Sequence, residues 1–271
     1  MRQLNAWLDA ALEQERSTRV AALLRIGLAL LVFTRFGESM MLGPTTGPAQ
    51  ACVLLAFWAG TLALLIGYRS QLAALVTTAA LIGAGPVVNA FGWSHHHVYL
   101  LISATALLAF TPCGRSYSWD RWRALARADA GGPAAPPERG RLGAQTLMAV
   151  QLSAVYFWGA FDKCSAGWLS GEKLESQLLF YVFDSDPPDI PGWRAFVLVM
   201  AVATMLLELA LAVGLWIPRA RRWLIPAGIA LHVMIYIALP VTVFSALSCV
   251  LYLAYLDPDA LHQAIDRMSR A

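Results

Sequence analysis

Charge is scarce in this chain: only 14% of its 271 residues are Asp, Glu, Lys or Arg, against about 25% in a soluble domain. The shortage is concentrated in several long stretches with no charge or nearly none. Coiled as helices, they are long enough to cross a hydrocarbon core of about 30 Å. Apolar–polar alternation is missing as well, which excludes a transmembrane β-barrel. Cysteine is rare and dispersed. Cys52, Cys113, Cys164 and Cys249 have neither metal-ligand spacing nor the pattern of a disulfide framework, and no metal is expected. No basic stripe exists, since Lys and Arg are scattered over many loops, so nucleic acid is not an expected partner. A signal peptide is not expected either, because Asp9, Glu13 and Glu15 precede the first apolar run. Transporters usually carry paired repeats with broken midplane helices, and the chain shows neither.

What is present is the sequence of an all-α, polytopic membrane bundle whose main partner is the lipid bilayer. Residues 3–19 read as an amphipathic surface helix, with Leu4, Trp7, Leu8, Ala11 and Leu12 on one face. Eight spans are expected at about 20–36, 50–67, 71–88, 96–112, 144–162, 195–217, 222–239 and 241–256, with Pro240 dividing the last two. The domains are then 1–19, a surface helix; 20–256, the bundle; and 257–271, a cytoplasmic tail opened by the helix-start pair Asp257-Pro258. Positive charge sets the orientation. Of the 20 Lys and Arg residues, fifteen fall on one set of alternate connections; the other set holds only Lys163, Lys173 and Arg194. Both termini are therefore expected in the cytoplasm of a cell whose inner membrane holds the protein.

Two connections are long. In 113–143, Ser118 to Ala128 reads as a basic, Trp-containing surface helix and Gly131 to Gly140 as a flexible linker. The extracytoplasmic loop 163–194 carries Asp184, Asp186 and Asp189 and is stiffened by Pro187, Pro188 and Pro191.

Polar groups at membrane depth are costly and tend to be paired or functional. Here they are Arg25, Arg35, Asn89, Gln151, Glu208 and His232. Arg25 and Glu208 read as a pair across helices, or alternatively as part of a polar cavity with His232 in its wall. The run His95-His96-His97 opens the fourth span. Neighbours on a helix point about 100° apart, so the three cannot share a metal, and only His97 is expected to face the bundle. Trp93 and Tyr99 beside it also suit an aromatic belt. At the end of the fifth span stands Lys163, on one helix face with Tyr156, Gly159 and Ala160. A lysine at a helix end can simply snorkel; one set above two small residues can instead have room for a reactant.

The segment Val155-Tyr156-Phe157 followed by Lys163, Trp168 and Gly171 resembles the membrane part of vitamin K-dependent γ-glutamyl carboxylase and its bacterial relatives, grouped as the HTTM (horizontally transferred transmembrane) family. So do Trp93 to Leu100, with His97 in the histidine place, Ser118 with Asp120, and the late-span His232. The resemblance implies that Lys163 deprotonates a reduced quinone, menaquinol or one like vitamin K hydroquinone. Oxygen then turns the quinol into a strongly basic species that takes a proton from a substrate carbon, with CO2 as a further co-substrate if carboxylation is retained. His97 would assist on the substrate side. Tyr156, Gly159, Ala160, Trp168, Trp93, Glu208 and His232 would line the pocket. A free lysine, with a pKa of about 10.4, is almost wholly protonated at neutral pH. The apolar setting of Phe157 and Phe161 is expected to keep this one neutral. The carboxylase's large lumenal domain is not expected in this chain. Its substrate is then expected to be an exported peptide or small acid, brought by a separate delivery protein, as for relatives like sporulation-delaying protein B. A non-catalytic scaffold or maturation partner is the alternative.

Overall fold

A helix lies at each of the eight positions where a span is expected, in the computed structural model of the chain. The structure describes residues 14–41, 47–88, 96–184, 188–239 and 241–270. Among them twelve α-helices run in the order α1 Arg19–Phe36, α2 Pro48–Ile66, α3 Ser70–Val88, α4 His96–Leu108, α5 Trp119–Asp129, α6 Gly143–Asp162, α7 Ala166–Leu169, α8 Glu172–Tyr181, α9 Trp193–Gly214, α10 Pro218–Ala238, α11 Thr242–Leu251 and α12 Pro258–Met268. Two short strands, β1 Glu15–Ser17 and β2 Arg139–Arg141, pair antiparallel. By length and composition alone, α2 and α9 can each cross a membrane.

Two compact units divide the chain, one of residues 1–148 with 253–271 and one of 149–252. In the first, α2 and α3 form a hairpin closed by Gly67, whose φ of 75° is open to glycine at little cost. Its position needs glycine for a second reason: a Cβ there would stand 2.5 Å from Arg25 Nη1 and 2.4 Å from Ser118 Cβ. Arg25 itself is fully buried on α1. It donates to the carbonyl oxygens of Cys113 (2.8 Å) and Tyr117 (2.5 Å), so it ties the turn after α4 to α1. The expected pairing of Arg25 with Glu208 is therefore corrected: each has other partners, and Arg25 is held by main-chain oxygens. α4 stops at Leu108, short of the expected 112, because the N–H and hydroxyl of Thr111 both turn back to Leu108 O.

The surface helices follow their sequence signals. Ser118 Oγ accepts from Arg121 N–H to cap α5, and Asp257 Oδ1 caps α12 by accepting from Asp259 and Ala260 N–H. Two expectations are corrected. Residues 15–17 form a strand rather than the end of a helix, and part of the expected linker, Arg139–Gly140, is its partner. Neither segment has β-propensity. Ion pairs hold the ladder: Arg139 to Asp259 at 3.0 Å, Arg19 to Glu138 at 3.3 Å, and Arg19 to Asp266. Arg19's hydrogen bond holds the Asp266 carboxyl below the usual carboxylate range. Residues 3–13 of the surface helix expected over 3–19 lie outside the described residues.

In the second unit α9 packs on α7, α8 and α10, and α10 packs on α11. The loop 163–194 is not simply an extended loop, since α7 and α8 occupy much of it. Gly171 stands at the start of α8, and Glu172 and Glu175 in its first turn suit the positive end of the helix dipole.

Candidate functional site

α6 carries a lysine just past its C-terminal end, and the side chain does not run out to the boundary. Lys163 Nζ turns back to donate to Glu208 Oε2 at 2.8 Å, Oε1 at 3.0 Å and Gly159 O at 3.2 Å. The two side chains are only 18% and 10% exposed. Beneath the amine lies the ring of Trp168, its centroid 5.0 Å from Nζ. That indole is fixed by its own N–H, which donates to Ala201 O at 2.9 Å. The ammonium is thus gripped by a bidentate carboxylate, a carbonyl and an aromatic face.

The sequence face expected of α6 is real, but its use differs. Gly159 leaves room for the carboxylate, since a Cβ there would stand 3.2 Å from Glu208 Oε2. Ala160 is buried. Phe157 and Phe161 point outward, so the expected apolar wall around the amine is replaced by an ion pair. Asp162 is exposed.

Two turns earlier on α6, Tyr156 meets His232 of α10. Its hydroxyl lies 2.6 Å from His232 Nε2 and makes a second short hydrogen bond to the hydroxyl of Tyr252. All three residues are buried. His232 Nδ1 has no hydrogen-bond partner among the described residues. The sequence reading missed Tyr252; its only signal was a second tyrosine, beside Tyr255, in the last apolar run. Gly228 makes the triad possible, since a Cβ there would stand 2.1 Å from Tyr252 Oη. Gly228→Ala gains about 1 kcal/mol of helix propensity and meets an overpacking cost of about 1–3 kcal/mol. A contact this close belongs at the upper end of that cost. The variant is expected to unfold about 1–2 kcal/mol more easily in a detergent melt, with an altered near-ultraviolet tyrosine signal.

Trp93 and the side chain of His97 lie outside the described residues; the backbone of His97 is in the first turn of α4. Among the described residues no group of three or more His, Cys, Asp or Glu is placed to hold a metal ion.

On α9, Val199, Leu206, Leu209 and Val213 face outward while Glu208 is buried. Helices that show apolar side chains to the surroundings and turn their ions inward define a helical membrane protein. The HTTM domain matches residues 29–259, and the chain belongs to that family. No curated protein and no solved structure matches the chain.

Proposed function

We propose that this protein is an eight-span inner-membrane enzyme, with both termini cytoplasmic, that couples oxygenation of a reduced quinone to modification of an exported peptide or small acid on the extracytoplasmic side. One observation carries the reading. A lysine at a helix end, free to reach water, is instead folded onto a buried carboxylate, beside an aromatic plane. The motif likeness to vitamin K-dependent carboxylase supports the reading, since it implies a quinol base at this same residue.

The residues divide the work as follows. A quinol hydroxyl set against Nζ gives its proton to the Lys163–Glu208 pair. The pair begins as ammonium and carboxylate, so the proton it gains rests on Glu208. Lys163 stays cationic beside the phenolate. In water, moving a proton from a phenol (about 10) to a carboxylate (about 4.3) is uphill by about 8 kcal/mol. The ammonium–phenolate pair gained, about 4 kcal/mol at 4 Å in an effective dielectric of 20, offsets the similar ammonium–carboxylate attraction lost when Glu208 is protonated. The step therefore stays uphill by about 8 kcal/mol, below the barrier of about 16 kcal/mol that a turnover of about 10 per second allows, so the carboxylate supplies the proton's destination without any need for a neutral lysine. Once oxygenated, the quinol supplies the strong base that takes the substrate proton. Trp168 orients the ammonium. Tyr156 and His232 offer a polar wall deeper in the unit, where His232 Nδ1, without a hydrogen-bond partner among the described residues, suits a polar guest. His97 and Trp93 are assigned to the substrate side.

The test is quinone epoxide formation by the purified protein given menaquinol and oxygen. Equal rates from wild type and Lys163→Ala overturn the proposal. A second reading, a non-catalytic scaffold, is favoured by the fully satisfied geometry of the same ion pair, which can also hold helices together. Co-purified quinone separates the two: its presence supports the enzyme, and a tightly bound peptide partner alone supports the scaffold.

A further inference from the structure

A cleft of about 420 Å³ opens in the first unit where α3 and α5 begin, with Arg69, Arg115, Arg121, Ser70 and Leu72 in its wall. Three arginines in one small concavity are an unusual surface. The guanidinium of Arg69 makes no hydrogen bond among the described residues and lies 5.8 Å from the Tyr68 ring centroid. Arg115 and Arg121 are each tethered by one nitrogen, Nη1, which donates to the carbonyl of Arg139 and of Pro136 respectively. A tether through one nitrogen fixes the plane of the fork and leaves its other donors available. The one carboxylate in the wall, Asp120, interacts electrostatically with buried Arg25. The three arginines outnumber it in the wall.

Ser70 adds an independent sign. It is 3% exposed, and its Oγ has no hydrogen-bond partner among the described residues. Such an orphaned hydroxyl is costly unless something accepts from it. Ser70 is also the first residue of α3, whose first-turn N–H groups lack intrahelical acceptors and carry the positive end of the helix dipole. Arginine forks, a hydroxyl and a helix N-terminus together favour tetrahedral phosphate oxygens.

The neighbourhood decides between a lipid phosphate and a free one. Leu72, in the wall, is exposed, as is Leu75 one turn on; Trp119 and Trp122 of α5 are exposed beside it. Apolar side chains and tryptophans next to a cationic recess are the signature of headgroup depth. The cleft also leaves room for more than one phosphate group.

We propose that this cleft binds the phosphate of an anionic phospholipid through Arg69, Arg115 and Arg121, with Ser70 Oγ and the α3 N-terminus completing the cradle. The proposal is independent of the quinone reading. To test it, the delipidated full chain in zwitterionic detergent is titrated with phosphatidylglycerol, with phosphatidylcholine and with inorganic phosphate, following thermal unfolding. Phosphatidylglycerol is expected to raise the unfolding temperature saturably, with the other two giving no shift. Arg69→Asn, chosen because Asn tolerates the positive φ of 45° at this position, is expected to weaken the response about tenfold. Arg123→Gln, an arginine of α5 outside the cleft, is expected to leave it unchanged. An equal response to inorganic phosphate would make this a site for soluble phosphate and overturn the lipid assignment. Equal weakening by Arg123→Gln would reduce it to general surface charge. No response to any of the three would remove the site.

Discussion

Glu208→Leu is expected to unfold about 3–5 kcal/mol more easily than wild type, because it strands a buried ammonium. Adding Lys163→Met to it is expected to return most of that loss, since two apolar side chains of similar volume suit the same space. The asymmetry is the useful part. With both side chains largely covered, each charge has already given up much of its hydration. Loss of one partner then costs more than the pair contributes. Denaturant melts of the two single variants and the double variant measure the coupling directly. Activity behaves differently. Lys163→Ala is expected to lower quinol turnover by about 10²–10³-fold, the usual worth of a positioned donor that stabilises a developing oxyanion. Under the proposed division of labour Glu208→Gln loses a similar factor, because the proton has lost its destination while the amide can still accept from the ammonium. A Glu208→Gln protein with full turnover would return the proton to lysine alone. The double variant, stable and inactive, separates folding from chemistry.

Arg25→Met is expected to cost about 2–4 kcal/mol, mostly from two carbonyl oxygens left without donors at about 1–3 kcal/mol each. Those oxygens belong to Cys113 and Tyr117, and Tyr117 sits at φ 46°, a backbone state that needs such an outside hold. Gly67 was left without a side chain at the same point, so the guanidinium and the hairpin turn are fitted to one another. Arg25→Lys tests the geometry. A single ammonium lacks the fork that spans two acceptors, and about half of the loss is expected to remain. Thermal unfolding of both variants checks this. A neutral Arg25→Met would mean that those carbonyls find other donors. The same variant loosens the turn from which Gly114 and Arg115 line the arginine cleft, so it is expected to blunt the phosphatidylglycerol response as well.

The helices were legible because apolar length is a one-dimensional property. The caps at Ser118 and Asp257 were legible because they are local. The shared face of Tyr156, Gly159, Ala160 and Lys163 followed from helix periodicity. The partner for Lys163 did not, since Glu208 stands 45 residues away and the nearest alternative reading paired it with Arg25. Charge alone gives no ranking among such pairings; the missing Cβ at Gly159, which admits the carboxylate, settles it. The β1–β2 ladder was illegible for a similar reason. Its residues are charged and without strand propensity, and the ion pairs that hold it come from the far end of the chain. Tyr252 is part of a hydroxyl network that only appears once α6, α10 and α11 are packed.

The two units differ in how they are drawn from the ribosome. Residues 149–252 form theirs from one uninterrupted stretch, whereas the other unit needs residues 253–271 to rejoin what was made first. Arg19 cannot meet Asp266, nor Ser17 reach His262, until residues 262–266 have been made. The lysine–glutamate unit can therefore mature during translation, while its companion waits open, its opening strand unlatched, for α12 to arrive.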